Sequence, residues 1–537
     1  MKSSDLLPPL GQLADLADIR GSSIEAAAWR RLAADIERGG PGEAAHLRQL
    51  AHRNQLAGYS NIPSGQQRKL RDLLLADAAA VIRAEWTELP WLIRRLLEFG
   101  IVDIAGAASL ARLGVITITD LEGGLQDGRI AGHLSAHQGR LRIAAQALSF
   151  ERPRVPLGRA SDLVDHFIRL AAVGCPDIAH LTAAGDLRRF EPLVESLIVV
   201  GSAADPPDCL NRIASAPAVQ HVLHRTSRRA ILSYQKAEID LRIAATDELG
   251  TTLLLATGSL EHLTALRARQ GAVRLCAREE EVYAQAGLQW IPPEMRNGTG
   301  EIEAAATGAL PALVTREHIR GDLHIHSTYS DGRDSLAEMV QTCAALGYEY
   351  IAITDHSERA AAARTVTIDA LARQRDEIAR LKARFPAMTI LHGIEVDIMP
   401  DGSLDFPDRV LESLDIVLAS LHDRAGHDPG RLTERCLAAI THPLVNIITH
   451  PANRLVGHDP GYEMDFDAVY AAAAATGTAL EIDGAPNHLD MDGEHARAAV
   501  AAGVTVAIDS DCHRARLLGT QMRLGIGTAR RGWVEPR

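Results

Sequence analysis

Between residues 321 and 513, imidazole and carboxylate side chains recur at the ends of short apolar runs. GDLHIHSTYSDG supplies His324, His326 and Asp331, and YEYIAITDH ends in His356. TILHGIEVD carries Glu395, DIVLASLHD carries His422, VNIITHP carries His450, and TVAIDSDCH carries Asp511 and His513. A single strand-end His is ordinarily a hydrogen-bonded core residue. Six such runs resist that explanation, because buried imidazoles and carboxylates without partners are costly. Nine donors on one rim exceed the needs of one cation, so a cluster of two or three divalent ions is expected. A nitrogen-and-oxygen donor set without Cys suits Mn²⁺, Zn²⁺ or Fe²⁺ better than a purely oxygen-ligated Mg²⁺ or Ca²⁺. Such ions lower the pKa of bound water and neutralise phosphate oxygens, which is what phosphate ester hydrolysis requires. No Ser or Cys elbow competes as nucleophile. Cys512, between Asp511 and His513, should point to the opposite face of its strand.

These groups need a scaffold that aims them at one point. Each run is rich in Ile, Val and Leu, as a strand buried on both faces of a parallel sheet should be. Ala-rich stretches with helical character, DSLAEMVQTCAALG (334–347) and DFDAVYAAAAATG (465–477), lie between them. Alternating strand and helix implies an α/β layout in which ligands at the carboxyl ends of strands meet on one face of a barrel. Arg454, in HPANRLVGH, and Arg424, beside His422, are placed to bind substrate phosphate, although ordinary surface arginines would look the same.

The segment from about 318 onward resembles the polymerase-and-histidinol-phosphatase (PHP) domain, in the form fused to bacterial family X DNA polymerases. RGDLHIHSTYSDGRDSLAEMVQTCAALGYEYIAITDHS, DGSLDFPDRVLESLDIVLASLH and GIGTARRGW carry the resemblance. It implies a distorted seven-stranded (βα) barrel with a trinuclear site. His324, His326, Glu395 and Asp511 would hold one ion. Glu395, His422 and His450 would hold a second, with Glu395 bridging, and Asp331, His356 and His513 the third. Glu395, Asp511, His513 and Arg454 are the catalytic candidates, and Mn²⁺ is the expected activating ion, with Zn²⁺ or Fe²⁺ as alternatives.

At 537 residues the chain is too long for one core. Its six Cys residues show no paired spacing, which points to a reducing compartment. A charged–apolar–small leader and an apolar run of transmembrane length are both lacking, so a soluble cytoplasmic protein without membrane contact is expected. Residues 1–318 hold 35 Lys and Arg against 37 Asp and Glu, a net of −2, so −11 of the chain's −13 lies in the metal-ligand region. Bound cations would offset part of that excess. The nearly balanced remainder is poorly suited to tight non-specific DNA binding, short of a local basic face.

Residues 1–150 read as mostly helical, with apolar periodicity in LGQLADLADIRG, EAAAWRRLAADIERG and LRQLAHRNQLAG. They resemble the opening of family X polymerases, and LIRRLLEFGIVDIAGAASLARLGVITITDLEGGLQDGRI (92–130) resembles the family's helix-hairpin-helix region. Such hairpins hold a DNA phosphate on the amides of a Gly-x-Gly turn. The turns here read FGIVDIAG, YSNIPSG and LSAHQG, all without it. The expected organisation is therefore multidomain: a helical domain over 1–90, a hairpin domain over 91–150, an α+β palm- and thumb-like region over 151–310, and the PHP barrel over 318–537.

The palm-like stretch GDLRRFEPLVESLIVV (185–200) keeps Gly185, Arg188 and Arg189 of the family pattern, but Asp186 replaces a phosphate-cradling serine. The two metal-binding aspartates of the family fall on Ser196 and Ile198. Asp240 in EIDLRI, and Gly258 and Ser259 in TGS, survive. Two-metal phosphoryl transfer needs at least two carboxylates, so the polymerase site should be inactive and Asp240 a structural or surface residue. The expected function is metal-dependent hydrolysis of DNA as a 3′–5′ exonuclease in repair. The alternatives are a phosphatase for a small ester, as in the histidinol-phosphatase branch, and a non-catalytic scaffold that binds DNA ends. A primed template supplied with nucleotides and Mg²⁺ or Mn²⁺ should stay unextended. Template-directed extension that disappears in Asp240→Ala would contradict this.

Overall fold

In a computed structural model, residues 3–40, 42–59, 64–75, 78–149, 154–235, 237–270, 274–360 and 364–536 are described, and the chain falls into two units. The first comprises residues 1–153, 174–177 and 205–243. Its opening helices, Ser3–Ile19 and Ser23–Gly39, form where Leu and Ala recur every three or four residues. Leu6, Leu10, Leu13 and Ala17 thereby meet Trp29, Leu32 and Ile36 in a buried seam. A second cluster joins Trp91–Glu98, Ile104–Arg112 and Ile118–Gln126. The unit also holds an antiparallel meander of strands starting at His221–Arg225, Arg229–Tyr234 and Ala237–Ala244.

The stretch expected as a palm over 151–310 is thus divided between the units. Its meander packs with the hairpin helices: Ile231 joins their apolar cluster, and Arg229 bonds both Asp120 and Asp240. Asp240 is buried and accepts from Arg229 and from Arg242. Burial opposes its charge, but the two guanidiniums outweigh this and hold the carboxyl below the usual carboxylate range.

The second unit comprises residues 154–173, 178–204 and 244–537. Its centre is a parallel barrel of β1 (Gly321–Asp322), β2 (Tyr350–Ile353), β3 (Thr389–Asp397), β4 (Ile416–Ser420), β5 (Ile447–Ile448), β6 (Ala479–Asp483) and β7 (Val506–Asp509). The seven strands pair in sequential order, each parallel to the next. Every residue of β4 is buried, the pattern of a strand covered on both faces. Helices Leu336–Ala345, Ile368–Arg384, Pro429–Ile440, Phe466–Thr476 and Gly493–Ala501 follow strands, as in a βα barrel.

Closure between β1 and β7 uses side chains where ladder bonds run out. Leu323 N donates to Asp509 Oδ1 at 2.7 Å and Ser510 N to Asp322 Oδ1 at 3.1 Å. A parallel bridge links Ile325 to Cys512. Cys512 packs among Ile325, Met339, Leu518 and Met522. Among the described residues no helix is long and apolar enough to cross a membrane.

Asp240→Asn should leave Arg242 beside a group without charge. Loss of one partner from a buried ion pair costs about 3–5 kcal/mol. The urea midpoint should fall accordingly in the transition of the first unit; an unchanged midpoint would show that Asp240 carries no structural charge pairing.

Candidate metal centre

The carboxyl ends of the barrel strands deliver all nine predicted donors to one cluster. Three overlapping groups lie close enough to hold cations: His326, Asp331, His356 and His513; His324, His326 and Asp511; and His356, Glu395 and His422. His324 and His326 leave β1, where Gly332 lets the loop fold back: a Cβ there would lie 2.6 Å from the backbone of Ser327. Glu395 sits within β3, in register with Leu418 of β4, and is completely buried. His450 and Asp511 follow β5 and β7 with φ of 26° and 47°. Those left-handed conformations cost energy for non-glycine residues and concentrate at functional sites.

The distances describe a coordination shell. His324 Nε2 and His326 Nε2 are 3.1 Å apart, and Asp511 Oδ1 lies 3.6 and 3.0 Å from them. Glu395 Oε2 lies 3.4 and 3.6 Å from the same two nitrogens. A tetrahedral ion with bonds of about 2.1 Å has edges of about 3.4 Å, and these five edges bracket that value. Glu395 Oε1 faces the opposite way, 3.1 Å from His422 Nε2 and 3.0 Å from His450 Nε2. One carboxylate therefore presents each oxygen to a different set of imidazoles. His356 stands between groups, its Nδ1 2.7 Å from Glu395 Oε2 and its Nε2 3.6 Å from Asp331 Oδ1. His513 Nε2 is 3.1 Å from Asp331 Oδ1 and its ring stacks on His326. Glu395 Oε2, buried, accepts no hydrogen bond, and the His324 and His326 Nε2 atoms converge to 3.1 Å; a cation between them would engage all three atoms.

The imidazoles are held in one tautomer by partners that the strand-end pattern does not reveal. His324 Nδ1 bonds Glu481 Oε1 at 2.7 Å, His422 Nδ1 bonds Asp397 Oδ1 at 3.0 Å, and His513 Nδ1 bonds the Asp511 carbonyl at 3.1 Å. In each case Nδ1–H donates, which leaves Nε2 as the atom that a cation would take once its proton is displaced. Glu481 also accepts from His450 N. It lies in β6 within ALEID, an apolar run of the same kind as the other six; without a His, that run gives no sign of a ligand. His488 carries no strand-end signal either: its ring stacks on His450, and its Nδ1 donates to the Arg454 carbonyl.

Electrostatics reinforce the cluster. Burial opposes charge on Glu395, but His356, His422 and His324 outweigh it and hold the carboxyl well below its usual range. Burial likewise opposes protonation of His422 and His513, yet their carboxylate neighbours push them up to about 10 and about 9. His326 goes the other way, to about 3, through burial and the nearby His513 and His356. Arg454 donates from Nε to the His488 carbonyl and from Nη1 to Asp492, leaving Nη2 buried and unbonded. Arg424 is exposed over the Tyr462 ring instead.

The polymerase-like residues present a different picture. Ile198 packs with Ala184, Val200, Leu249 and Ala256. Arg188 pairs with Glu279 through both terminal nitrogens, and Arg296 grips the same carboxylate. Arg189 donates to Asp186, Asn297 and the Thr257 carbonyl, while Asp186 also accepts from Glu195 N. Arg188 and Arg189, the surviving basic pair of the family pattern, are thus committed internally. In the first unit, Asp103 accepts from Gly106 N at the FGIVDIAG turn, and Asp120 and Thr117 close a capping box. Part of the YSNIPSG turn, residues 60–63, lies outside the described residues. LSAHQG forms short helical turns.

The family profile described as PHP domain matches residues 322–460. Over 566 aligned residues the chain is 30% identical to the DNA polymerase/3'-5' exonuclease PolX of Bacillus subtilis, covering 100% of this chain and 97% of that protein. It is 34% identical over 167 residues to a probable phosphatase of Syntrophotalea carbinolica, covering 30% of this chain and 64% of that one. The crystal structure of a histidinol phosphate phosphatase from Lactococcus lactis, complexed with Zn, L-histidinol and phosphate, aligns at 17% identity with a TM-score of 0.31, over 40% of this chain and 94% of that one.

Because His422 and His513 retain protons up to about 10 and about 9 without metal, cations must displace those protons to bind. Uptake of Mn²⁺ or Zn²⁺ at neutral pH should release protons, and affinity should rise as pH increases toward that range. Calorimetry in buffers of different ionisation enthalpy reads the release; pH-independent binding without proton release would contradict the geometry. Glu395→Ala should lose more bound metal by elemental analysis than Asp331→Ala, since both oxygens of Glu395 face donor groups.

Proposed function

The chain belongs to the family X DNA polymerases that carry a C-terminal PHP domain, and on that footing we propose that it is a 3′–5′ exonuclease that processes DNA ends in repair, with a polymerase core that no longer catalyses. The phosphoesterase centre is its working site. His324, His326, Glu395 and Asp511 would hold one ion, Glu395, His422 and His450 a second, and Asp331, His356 and His513 a third. Mn²⁺ fits this donor set as activator, as do Zn²⁺ and Fe²⁺. The observation that carries the reading is Glu395, whose two oxygens face separate imidazole sets at 3.0–3.1 Å and 3.4–3.6 Å.

When bound, divalent ions supply Lewis acidity that acidifies water and neutralises phosphate charge. The chain's own residues do the rest. Glu481 and Asp397 fix the tautomers of His324 and His422, so the donors are oriented before substrate arrives. The free Nη2 of Arg454 is available to donate to a phosphate oxygen, with its Nε and Nη1 already anchoring the side chain. Loss of polymerase chemistry is supported by the apolar packing of Ile198 and by the internal pairing of Arg188 and Arg189.

A second reading, hydrolysis of a small phosphate ester, is favoured by one observation: the hairpin turn amide at Gly106 is bonded to Asp103, which would repel a DNA phosphate. One experiment separates the two. Purified full-length protein with Mn²⁺ is incubated with end-labelled single-stranded and gapped DNA, beside a panel of phosphomonoesters. Stepwise shortening from the 3′ end is expected, reduced at least about 100-fold by Glu395→Gln. Turnover of a monoester with intact DNA would overturn the exonuclease in favour of the phosphatase.

A further inference from the structure

Three arginines near the metal centre make no side-chain bond to any of its donor side chains among the described residues. Arg333 follows Asp331 by two residues on the loop after β1, and its amide donates to the His513 carbonyl at 2.8 Å. Arg514 is the next residue after His513, on the loop after β7. Arg364, on the loop after β2, donates from Nη2 to the Gly332 carbonyl at 3.2 Å, and nearby Val366 is tied to the His356 carbonyl. Three separate loops thus place arginine residues next to Asp331, His356 and His513, and the Arg364 guanidinium reaches the Gly332 carbonyl beside Asp331. All three arginines are exposed. None forms an ion pair with a carboxylate among the described residues.

Three other arginines around the rim are already engaged. Arg359 pairs with Asp405, Arg454 with Asp492, and Arg424 lies over Tyr462. Of the acids sharing the three loops, Asp334 accepts from Ala515 N, and Glu358 is exposed. Uncompensated guanidiniums next to a centre built for cations repel it and one another, so their placement favours a bound polyanion. A phosphomonoester brings a single phosphate, which the centre itself would engage. A polynucleotide brings further phosphates at regular intervals along the strand, and these reach the flank while the scissile phosphate occupies the centre.

We propose that Arg333, Arg364 and Arg514 are the strand grip of this phosphodiesterase: they bind phosphates flanking the scissile one and select polynucleotide over small esters. The inference rests on the phosphodiesterase reading above and locates nucleic-acid binding on the barrel itself. It fits the internal commitment of Arg188 and Arg189 and the carboxylate cap of the FGIVDIAG turn.

The test uses the full chain with Arg333→Gln, Arg364→Gln and Arg514→Gln combined, and a control carrying Arg95→Gln and Arg112→Gln in the hairpin helices. Both are assayed with Mn²⁺ on a labelled single-stranded oligonucleotide and on bis(p-nitrophenyl) phosphate, and anisotropy reads oligonucleotide binding without turnover. The triple variant should raise the oligonucleotide KM and Kd by about tenfold or more, with kcat within about twofold. Its log Kd should depend less steeply on log salt, by about 0.7 for each phosphate no longer bound. Hydrolysis of the nitrophenyl diester should stay within about twofold of wild type, and the control should bind and cut as wild type. Wild-type KM and salt slope in the triple variant would overturn the grip, and so would equal losses on both substrates, which would make the arginines supports of the centre. If wild-type protein hydrolyses neither substrate, the phosphodiesterase reading fails, and anisotropy still decides whether the arginines hold the strand.

Discussion

A fully buried carboxylate at Glu395 is the constraint on which the barrel depends. An isolated ionised carboxyl out of water is prohibitively costly, and the molecule does not neutralise it by protonation. It surrounds the group with imidazoles from four other strand ends, His324 and His326, His356, His422 and His450. Those imidazoles then need orientation, which comes from a further ring of carboxylates, Glu481 and Asp397 among them. Each layer faces the one inside it without satisfying every atom, since Glu395 Oε2 keeps no hydrogen bond, and the strand ends that carry the layers are fixed by apolar packing outside the barrel. Half-satisfied buried networks are worse than apolar cores, so this arrangement is retained at a cost that only a bound charge offsets.

Much of this was legible in the chain because parallel strands buried on both faces leave a simple trace: an apolar run ended by a polar group. The runs ending in His356, His422 and His450 became β2, β4 and β5, and the Ala-rich stretches after the first and fifth strands became helices Leu336–Ala345 and Phe466–Thr476. The role of β6 escaped because ALEID ends in carboxylates alone, and acids at strand ends are common without any role. Second partners were illegible for a different reason. His324 meets Glu481 across 157 positions of sequence, and Arg188 meets Glu279 across 91, so only the fold decides those pairs. Arg188 and Arg189 matched a family pattern, yet the same side chains satisfy buried and half-buried acids here.

The two halves of the chain use buried polar groups in opposite ways. In the polymerase-like region, Ile198 closes into an apolar cluster and Asp240 is taken up by Arg229 and Arg242. Burial of Glu279 is tolerated because Arg188 and Arg296 hold its pKa at about 2 despite the desolvation. Polar groups become internal braces, and the fold persists. In the barrel the opposite holds: orphaned atoms such as Glu395 Oε2 and strained backbone at His450 and Asp511 remain, and these are the marks of a site built around a ligand.

The central claim is that one carboxylate joins two cations. Electron paramagnetic resonance of the full chain loaded with Mn²⁺ measures this directly, because two Mn²⁺ ions bridged by Glu395 are exchange-coupled and give a broadened multiline spectrum. Bridging predicts that coupled spectrum in the wild-type protein and its replacement by isolated-ion signals in Glu395→Gln. A wild-type spectrum showing only the six-line signal of isolated Mn²⁺, at saturating metal, would contradict it.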